Sequence, residues 1–373
     1  MKRNKSAMQV LIRVDASDVI GTGHVMRCLV LADRLSEEGA TCQFICRSFD
    51  GHLADLIATR GHHCYLLDAD TGPTMDTDHN LPPPAHANWL GVNWQIDAKA
   101  TIDIAEALEG LDLLIVDHYA IDHRWERLLK PYCKRLMVLD DLVDRRHCVD
   151  VLLDQNYGHS ETTYKDLVPE NCKVLAGAQF ALLRRQFSAQ RPAALARRRQ
   201  VPDVKRLLIF LGGGATDEPL GRVAMAIVDA NPQNLSAVTL IAGGARNADN
   251  VAGQLRSALN VPVEVFSNVE DMASLMVKAD LAIGGGGVSG WERCALGLPS
   301  LVIALADNQR AINRQLSKDQ YIFSSVEPDN LSRELMRRFL DMDDQTYSTI
   351  SRNAFGLCDG QGADRVLEVL VRG

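Results

Sequence analysis

The sequence lacks the main features of membrane, metal-binding and secreted proteins. No stretch approaches the about 20 consecutive apolar residues that a membrane-spanning helix needs, so no membrane partner is expected. The nine cysteines include no CxxC pair and no zinc-like spacing, and we interpret them as reduced thiols of a cytoplasmic protein. The apolar run behind the basic N-terminus is too short for a signal peptide and contains Arg13 and Asp15.

Two common nucleotide-binding signatures are also missing. A GxGxxG fingerprint beginning at Gly21 needs glycine at position 26, which is Met26, and no GxxxxGK[ST] loop occurs. These absences argue against NAD and ATP chemistry. The net charge of −8 argues against a general nucleic-acid partner, although a local basic pocket for a phosphate stays open. The run His62-His63-Cys64 has no matching second cluster, so no metal site is predicted.

Short apolar runs alternate with amphipathic stretches along the 373 residues, a pattern typical of parallel sheets built from βαβ units. The predicted strands are Gln9–Val14, Thr41–Arg47, Cys64–Leu67, Leu113–Val116, Leu136–Leu139 and Val151–Leu153, followed by Arg206–Leu211, Ala237–Ala242, Val263–Phe266, Leu281–Gly284 and Ser300–Ala304. This order predicts an α/β protein with two doubly wound, Rossmann-like domains. The expected domains are residues 1–190 and residues 191–373.

The join between the two predicted domains is expected at Ser188–Pro202, a stretch with two prolines and the run Arg197-Arg198-Arg199, read as a solvated linker. Ligands of open α/β sheets bind beyond the carboxyl ends of the strands. We therefore expect both domains to offer loops to one central cleft. The proline-rich stretch Asp70–Asn93 is predicted to be a long loop at the mouth of the first domain.

The most informative motif is Ile20–Arg27, which contains Gly21, Gly23 and His24 between a predicted strand and a predicted helix. A strand, a tight glycine turn and a helix together bring backbone N–H groups to the edge of a sheet, where an anionic substrate can bind. A histidine there titrates near neutral pH and can take a proton from water or a hydroxyl. The alternative is a histidine that only caps the helix or hydrogen-bonds the turn.

A polar triplet closes the predicted strand Leu113–Val116. Asp117 is a candidate to orient His24 or to bind sugar, and Tyr119 is a candidate hydrogen-bond donor to sugar or to an attacking water. Helix capping by Asp117 and partly buried packing of Tyr119 are the alternatives. Asp140-Asp141 is a further acidic pair at a strand end.

A second glycine-rich loop, Gly284-Gly285-Gly286-Gly287, runs from a predicted buried strand into a helix. The glycines allow a diphosphate to approach the backbone, and the helix N-terminus favours its charge. Ser289 is a candidate donor to phosphate, and Glu292 a candidate acceptor for a ribose diol. The alternative for Ser289 and Glu292 is a capping box.

Three further segments supply candidate binding residues. Gly213, in Gly212-Gly213-Gly214, follows the first strand of the second domain and predicts another nest of backbone N–H groups, or a plain strand–helix turn. Asn308 and Gln309 follow a later strand near the expected phosphate site, where a helix N-cap is the alternative. Arg184 can reach a carboxylate, phosphate or amide oxygen.

Together these motifs resemble the PseG family, the hydrolases that release UDP from UDP-2,4-diacetamido-2,4,6-trideoxy-β-L-altrose in pseudaminic acid biosynthesis. The resemblance spans roughly residues 10–310 and consists of an ordered set of motifs. They are Arg13-Val14-Asp15, Ile20-Gly21-Thr22-Gly23-His24 with Arg27, Trp89-Leu90-Gly91-Val92-Asn93-Trp94, Asp117-His118-Tyr119, Asp140-Asp141-Leu142, Leu153-Asp154-Gln155-Asn156, Gly177–Arg184, Ser289, Glu292 and Asp307-Asn308-Gln309.

The resemblance implies a GT-B-like fold, shared with MurG-type glycosyltransferases, and hydrolysis at the anomeric carbon without a metal or other cofactor. It implies that His24 is the base for the attacking water and that Tyr119 lies near the reacting centre. Arg184 is then a sugar contact, and Glu292, Ser289 and Asn308 lie on the nucleotide side. Gln179 departs from the family pattern and receives no role, and the alignment of Asp217 is uncertain.

The chemistry agrees with this implication, because UDP leaves readily once backbone N–H groups meet its developing charge, and direct attack by water predicts inversion. The rival enzyme is a GT-B glycosyltransferase in which His24 activates an acceptor hydroxyl. A non-catalytic UDP-sugar sensor gives His24 and Tyr119 no task. We expect a monomer whose partner is a UDP-sugar.

Overall fold

The computed structural model describes residues 7–69, 82–108, 110–200, 205–213 and 216–372. Contacts divide the chain into two compact units. The first unit is Met1–Phe180 together with Ala363–Gly373, and the second unit is Ala181–Gly362. The predicted boundary lay ten residues later, at 190/191, and did not anticipate that the C-terminal residues belong with the first unit.

The first unit is built on a parallel sheet with strand order β3-β2-β1-β4-β5-β6-β7. Within its described part the strands are β1 (Gln9–Val14), β2 (Thr41–Arg47), β3 (His63–Leu67), β4 (Leu113–Asp117), β5 (Arg135–Leu139), β6 (Val151–Asp154) and β7 (Lys173–Ala176). The order reverses at β1, so the carboxyl ends of β1 and β4 flank the switch point at which open α/β sheets bind ligands.

Helices connect these strands. They are α1 (Gly23–Glu37), α2 (Ala54–Thr59), α3 (Trp94–Ala107) and α4 (His123–Leu129), with short 3-10 helices at Ala87–Leu90, Lys130–Tyr132, Glu161–Tyr164 and Ala178–Phe180. The core forms where the central strands, buried along most of their length, pack under α3 and α4, and it includes Leu11, Leu114, Val116 and the fully buried Trp125.

The second unit repeats the architecture with strand order β10-β9-β8-β11-β12-β13, again all parallel. Its described strands are β8 (Lys205–Phe210), β9 (Leu235–Ile241), β10 (Val263–Phe266), β11 (Leu281–Gly285), β12 (Ser300–Ile303) and β13 (Ser324–Val326). Its described helices are α5 (Arg185–Arg198), α6 (Asp217–Ala230), α7 (Ala248–Leu259), α8 (Met272–Lys278), α9 (Val288–Ala295), α10 (Asp307–Lys318), α11 (Arg333–Leu340) and α12 (Asp344–Leu357), with a 3-10 helix at Pro328–Asn330. The final helix, α13 (Gly362–Arg372), returns to the first unit apart from its first residue.

The prediction of two doubly wound Rossmann-like domains is confirmed, and every predicted strand is present to within two residues at each end. Two edge strands, β7 and β13, were missed. Both are short, and neither has a fully buried face (Lys173 exposed, the residues of β13 all half-buried), so their sequences carry a weak apolar pattern.

The predicted linker at Ser188–Pro202 is wrong for its described part, because α5 occupies Arg185–Arg198 with Pro192 inside it. The arginine run is not a solvated face. Arg197 pairs with Asp280 at 2.6 Å, and the buried Arg198 donates to the backbone oxygens of Ala279 and Met276 at 2.6 and 2.8 Å. These bonds satisfy carbonyl groups near the end of α8 and fasten α5 to the second unit.

The predicted loop Asp70–Asn93 lies partly outside the described residues, since residues 70–81 are not described. The rest contains the 3-10 helix Ala87–Leu90 and ends at Asn93, whose side chain accepts from the backbone N–H of Gln95 at 2.9 Å and caps α3. Across the described residues, none of the helices combines the length and apolar character needed to cross a membrane.

Candidate active site

The turn after β1 is closed by its own backbone. Gly21 donates its N–H to the carbonyl oxygen of Ser17 at 2.8 Å and has a φ of +79°, a conformation that favours glycine. Gly23 is the first residue of α1, so His24 lies in the first helical turn at the carboxyl edge of the sheet. The predicted strand, glycine turn and helix are therefore all present.

His24 and Asp117 form a dyad that joins the ends of β1 and β4. His24 Nδ1 lies 2.6 Å from Asp117 Oδ1, and both side chains are buried. Burial opposes the charge on Asp117, but Arg27 and His24 outweigh it and hold the pKa of this carboxyl well below its usual range. A carboxylate only accepts hydrogen bonds, so Nδ1 carries the proton and Nε2 is left as the basic nitrogen. His24 thus neither caps the helix nor serves the turn.

Arg27, one turn further along α1, ties the dyad to a second carboxylate. Its guanidinium donates twice to Asp117, at 2.6 Å from Nε and 2.6 Å from Nη2, and once to Asp141 at 3.1 Å from Nη1. Burial opposes the charge, whereas Asp117 and Asp141 raise the pKa of Arg27. The paired fork fixes the plane of the Asp117 carboxylate and thereby the orientation of the His24 ring.

Tyr119 completes this constellation. Its hydroxyl donates to Asp141 Oδ1 at 2.6 Å, and its ring meets the His24 ring edge to face with centroids 4.6 Å apart. Burial and the neighbouring Asp141 carboxylate raise the pKa of the phenol well above its usual value. The proton of Tyr119 is therefore committed to Asp141. The expectation that Tyr119 donates to substrate is corrected: its oxygen is placed to accept a hydrogen bond.

Two half-buried aromatic residues continue from Tyr119. Trp89 stacks on it with ring centroids 5.7 Å apart, and His86 lies 5.5 Å from it and 4.5 Å from Trp89. Both come from the described end of the predicted loop. Sequence reasoning gave them no role, because an aromatic residue in an irregular segment carries no periodic signal.

A buried ionic network supports the strand ends beneath the dyad. Arg13 pairs with Asp15 and Asp97 at 2.7 Å each, and Arg47 pairs with Asp97 at 2.7 Å. His118 Nε2 lies 3.2 Å from Asp15, and its Nδ1 accepts from the backbone of Ala120, so His118 has a structural role. The network joins β1, β2, α3 and the residue after β4 into one rigid edge.

The other acidic residues at strand ends of the first unit have structural partners. Asp140 pairs with Arg145 at 2.7 Å. Asp154 accepts from the hydroxyl of the fully buried Tyr164 at 2.8 Å. Asn156 donates to the backbone oxygen of Asp141 at 2.9 Å and so steadies the residue that holds Tyr119 and Arg27.

In the second unit, most glycines of the loop after β11 are required by close contacts with neighbouring protein atoms. A Cβ at Gly284 would lie 2.3 Å from Arg293 Nη1, one at Gly285 would lie 2.5 Å from the backbone oxygen of Leu211, and one at Gly286 would lie 2.3 Å from the amide of Asn313. Only Gly287 among the four leaves open space, with its nearest neighbour, the Gln309 amide, at 3.8 Å. Of the four glycines, Gly287 at the start of α9 is therefore the one whose backbone a phosphate could approach.

Ser289 and Glu292 do not form the capping box that was the alternative. The N-cap of α9 is Gly287, and Ser289 Oγ accepts from Arg293 at 3.3 Å. Glu292 is buried, 8% exposed, and its carboxylate lies 3.2 Å from Arg184. Burial raises the pKa of Glu292, while Arg184 acts in the opposite direction. Arg184 and Glu292 therefore form an ion pair, and the role of Arg184 as a sugar contact stays a prediction.

The remaining candidates of the second unit lie on two loops. Helix α10 begins at Asp307 with Ala306 as its N-cap, so neither Asp307 nor Asn308 caps it. The side chain of Asn308 lies outside what the structure describes. Gln309 reaches the glycine loop, and its Oε1 is buried with no hydrogen-bond partner among the described residues.

Gly213 is exposed in the turn after β8, next to residues 214 and 215, which are not described. Asp217, whose alignment was uncertain, accepts from the backbone N–H groups of Arg246 and Asn247 at 2.7 and 3.0 Å. It therefore fastens the loop after β9 and has a structural partner. Gln179 likewise donates to the backbone of Ala176 at 2.9 Å.

Metal ligation finds no support among the described side chains, where no group of three or more His, Cys, Asp or Glu residues comes together. His62 contacts Asp33 at 3.0 Å. The nine cysteines, all within the described residues, form no disulfide bond there.

The two parallel-sheet units define a protein of the GT-B class. No family model matches the chain. The fold matches MurG of Acinetobacter baumannii with a TM-score of 0.70 and 13% identity, covering 98% of this chain and all of MurG. It also matches Arabidopsis thaliana UGT89C1 complexed with UDP-L-rhamnose, with a TM-score of 0.64 and 12% identity, covering 98% of this chain and all of UGT89C1.

In sequence, the chain is similar to the UDP-2,4-diacetamido-2,4,6-trideoxy-beta-L-altropyranose hydrolase of Campylobacter jejuni. The two are 26% identical over 279 residues, which cover 74% of this chain and 84% of the hydrolase. The spore coat polysaccharide biosynthesis protein SpsG of Bacillus subtilis is 22% identical over 290 residues, covering 74% of this chain and 83% of SpsG. The resemblance drawn from the motifs is thereby confirmed.

Proposed function

We propose that this protein is an enzyme that hydrolyses a UDP-sugar by attack of water at the anomeric carbon, and that its substrate is UDP-2,4-diacetamido-2,4,6-trideoxy-β-L-altrose. The observation that carries the proposal is the Asp117–His24 dyad, at 2.6 Å, which leaves His24 Nε2 as a base at the sheet edge. The similarity to the Campylobacter hydrolase supports the substrate, and the GT-B fold supports a nucleotide-sugar ligand.

The proposed step is a single displacement. His24 Nε2 takes one proton from the water, the water oxygen bonds to C1, and the bond between C1 and the UDP oxygen breaks with its electron pair leaving on UDP. The ionised Asp117 stabilises the imidazolium that forms. Because water attacks opposite the leaving group, the first product is the inverted sugar. No metal or cofactor takes part in this scheme.

Tyr119 orients the nucleophile in this proposal. Its own proton bonds to Asp141, so its oxygen accepts a hydrogen bond from the second O–H of the attacking water or from an N–H of the sugar. The edge-to-face contact with His24 places the two groups side by side. The turn residues Gly21 and Gly23 set the position of His24, and Gly23, the first residue of α1, presents its backbone N–H beside it.

The nucleotide side is assigned to the second unit. The start of α9 at Gly287 offers its backbone N–H groups and positive dipole end to the departing diphosphate, with Ser289 and Gln309 beside it. Glu292 accepts the ribose hydroxyls, with the Arg184 guanidinium 3.2 Å from its carboxylate. Asn308 and Gly213 are further proposed nucleotide contacts. We further propose that the protein acts in the cytoplasm as a monomer.

A GT-B glycosyltransferase is the second candidate, because the structural matches include glycosyltransferases such as CalG4, at a TM-score of 0.59. In that reaction His24 takes its proton from an acceptor hydroxyl instead of from water.

The deciding experiment measures UDP release from the sugar nucleotide with no acceptor present. The proposal expects steady turnover that falls by about 10²- to 10⁴-fold in His24→Ala, whereas His63→Ala, an exposed histidine on β3, keeps the wild-type rate. Turnover that requires an added acceptor identifies a transferase, and normal turnover in His24→Ala contradicts the proposed base.

A further inference from the structure

The rings of His86, Trp89 and Tyr119, here called the aromatic wall, form a continuous apolar surface next to the proposed base. Each ring contacts the other two, with centroid separations from 4.5 to 5.7 Å. Tyr119 is nearly buried, at 6% exposed, whereas His86 and Trp89 keep part of their surface open. Exposed, stacked aromatic faces beside a reacting centre are typical of ligand pockets.

Polar groups beside the Tyr119 end of this surface already have partners. The Tyr119 hydroxyl donates to Asp141, and His24 Nδ1 donates to Asp117. The guanidinium of Arg145 lies 5.9 Å from the centre of the Tyr119 ring and is held by Asp140 at 2.7 Å. The wall therefore presents mainly ring faces to a substrate. Its polar atoms are the acceptor oxygen of Tyr119 and the ring nitrogens of His86 and Trp89.

We propose that the aromatic wall is a subsite for the apolar groups of the sugar, namely a C6 methyl and the methyl of an acetamido group. This inference rests on the proposed function, whose substrate is a 6-deoxy sugar with two acetamido groups. Methyl groups and the C–H face of a sugar ring pack favourably against aromatic faces, whereas a C6 hydroxyl held against a ring face loses water contacts.

The wall also separates the roles of the two units. Its residues all belong to the first unit, while the proposed nucleotide contacts belong to the second. A change in the wall is therefore expected to alter affinity for the sugar part of the ligand and to leave affinity for UDP alone unchanged.

The test measures binding by calorimetry in a His24→Ala background, which keeps the sugar nucleotide intact. The probes are UDP-2,4-diacetamido-2,4,6-trideoxy-β-L-altrose, UDP-N-acetylglucosamine and UDP. Adding Trp89→Ala is expected to lower the affinity for the trideoxy sugar nucleotide by about 10- to 100-fold and to change the affinity for UDP by less than about 2-fold. The affinity for UDP-N-acetylglucosamine, which has a C6 hydroxyl, is expected to change less than that for the trideoxy sugar nucleotide.

Three variants control for folding and for general loss of an aromatic ring. Trp89→Phe keeps an aromatic face and is expected to restore most of the affinity, and Trp89→Gln keeps much of the volume and is expected to lose as much as Trp89→Ala. Tyr65→Ala removes a half-buried ring from β3, away from the wall, and is expected to leave all three affinities unchanged.

The inference is overturned if the affinities of Trp89→Ala and Trp89→Gln for the trideoxy sugar nucleotide stay within about 2-fold of that of the background protein. It is also overturned if the affinity for UDP falls by as much as the affinity for the trideoxy sugar nucleotide. These readouts do not depend on hydrolysis. Wild-type protein that binds the trideoxy probe without releasing UDP would refute the proposed function, while the Trp89 series would still decide the subsite.

Discussion

Asp117 is the residue on which the proposed chemistry depends most. Its carboxylate receives His24 on one oxygen and the Arg27 fork on both, with all three distances at 2.6 Å. The proton position on His24, the plane of its ring and the stability of the imidazolium all follow from that one ionised group.

Asp117→Asn keeps the shape of the side chain but replaces an acceptor oxygen with an NH₂ group. We expect kcat to fall by about 10²- to 10⁴-fold, because the amide either favours the wrong tautomer of His24 or loses one Arg27 bond. Steady-state kinetics with UDP affinity as the control decide this. A variant that keeps wild-type kcat would show that the dyad does not act in the reaction.

Glu292→Ala removes the proposed acceptor for the ribose hydroxyls and leaves Arg184 without its partner. We expect UDP to bind about 10- to 100-fold more weakly, the usual range for a hydrogen bond to a charged group. Glu264→Ala, an exposed glutamate on β10, is the matched control. Unchanged UDP affinity in Glu292→Ala would place the ribose elsewhere.

At the residue scale, the sequence indicated which residues to consider but not which side chains contact one another. His24, Asp117 and Tyr119 were recognised because each follows a glycine turn or a buried strand. The link from Arg27 through Asp141 to Tyr119 joins loops that are 22 to 114 positions apart, and only the folded chain shows it. The direction of the Tyr119 hydroxyl was missed for the same reason.

Among the elements, most strands were predictable, whereas the edge strands β7 and β13 and the join between the two units were not. β1, β2 and β10 have the predicted bounds, since each is a short apolar run between turn residues. Helix α5 was predicted to be a linker because proline is unfavourable inside a helix and the three consecutive arginines suggested a solvent-exposed segment. Its stability comes from tertiary bonds, such as Arg191 to the backbone oxygens of Ala295 and Cys358 at 2.6 and 2.8 Å.

The segment between β5 and β6 contains a buried charged histidine that the sequence did not reveal. His147 lies 2.7 Å from Glu126 and 3.7 Å from Asp140, with Arg145 also paired to Asp140. Burial opposes the charge, but Glu126 and Asp140 outweigh it and raise the pKa of His147 to about 9. The imidazolium holds α4 to this segment.

A folded-state pKa above the unfolded value means that the stabilisation is complete below pH 6.5 and disappears as the pH rises through about 9. We expect the free energy of unfolding to decrease by on the order of 3 kcal/mol between pH 7 and pH 10 on this account. Urea unfolding at both pH values measures it. His147→Gln should be less stable at pH 7 and lose most of this pH dependence; an equal decrease in both proteins would assign it to other groups.

For the whole molecule, the chain leaves the first unit at Phe180 and returns to it with α13. The return is fixed by the ion pair of Arg34 with Asp364, by Arg135 donating to the backbone oxygens of Val369 and Leu370 at 3.1 Å, and by the fully buried Val366. The sequence predicted a single domain boundary, because the pattern of the short helix α13 does not indicate which of the two cores it packs against.

Val366→Asp buries an unpaired charge in the first unit and is expected to lower the free energy of unfolding by about 3 kcal/mol or more. UDP affinity, assigned to the second unit, is expected to stay within about 2-fold when measured well below the thermal transition. Val371→Asp is the matched control, since Val371 is half exposed on the same helix. A weakened UDP affinity in Val366→Asp would contradict the assignment of the nucleotide to the second unit.

The central claim is that water, activated by His24, attacks the anomeric carbon of a UDP-sugar directly. An NMR time course of UDP-2,4-diacetamido-2,4,6-trideoxy-β-L-altrose in ¹⁸O-enriched water tests it in one measurement. The account predicts that the first sugar formed has the inverted anomeric configuration and carries ¹⁸O on C1, with no label in UDP. A retained anomer, or label in the β-phosphate of UDP, would contradict it.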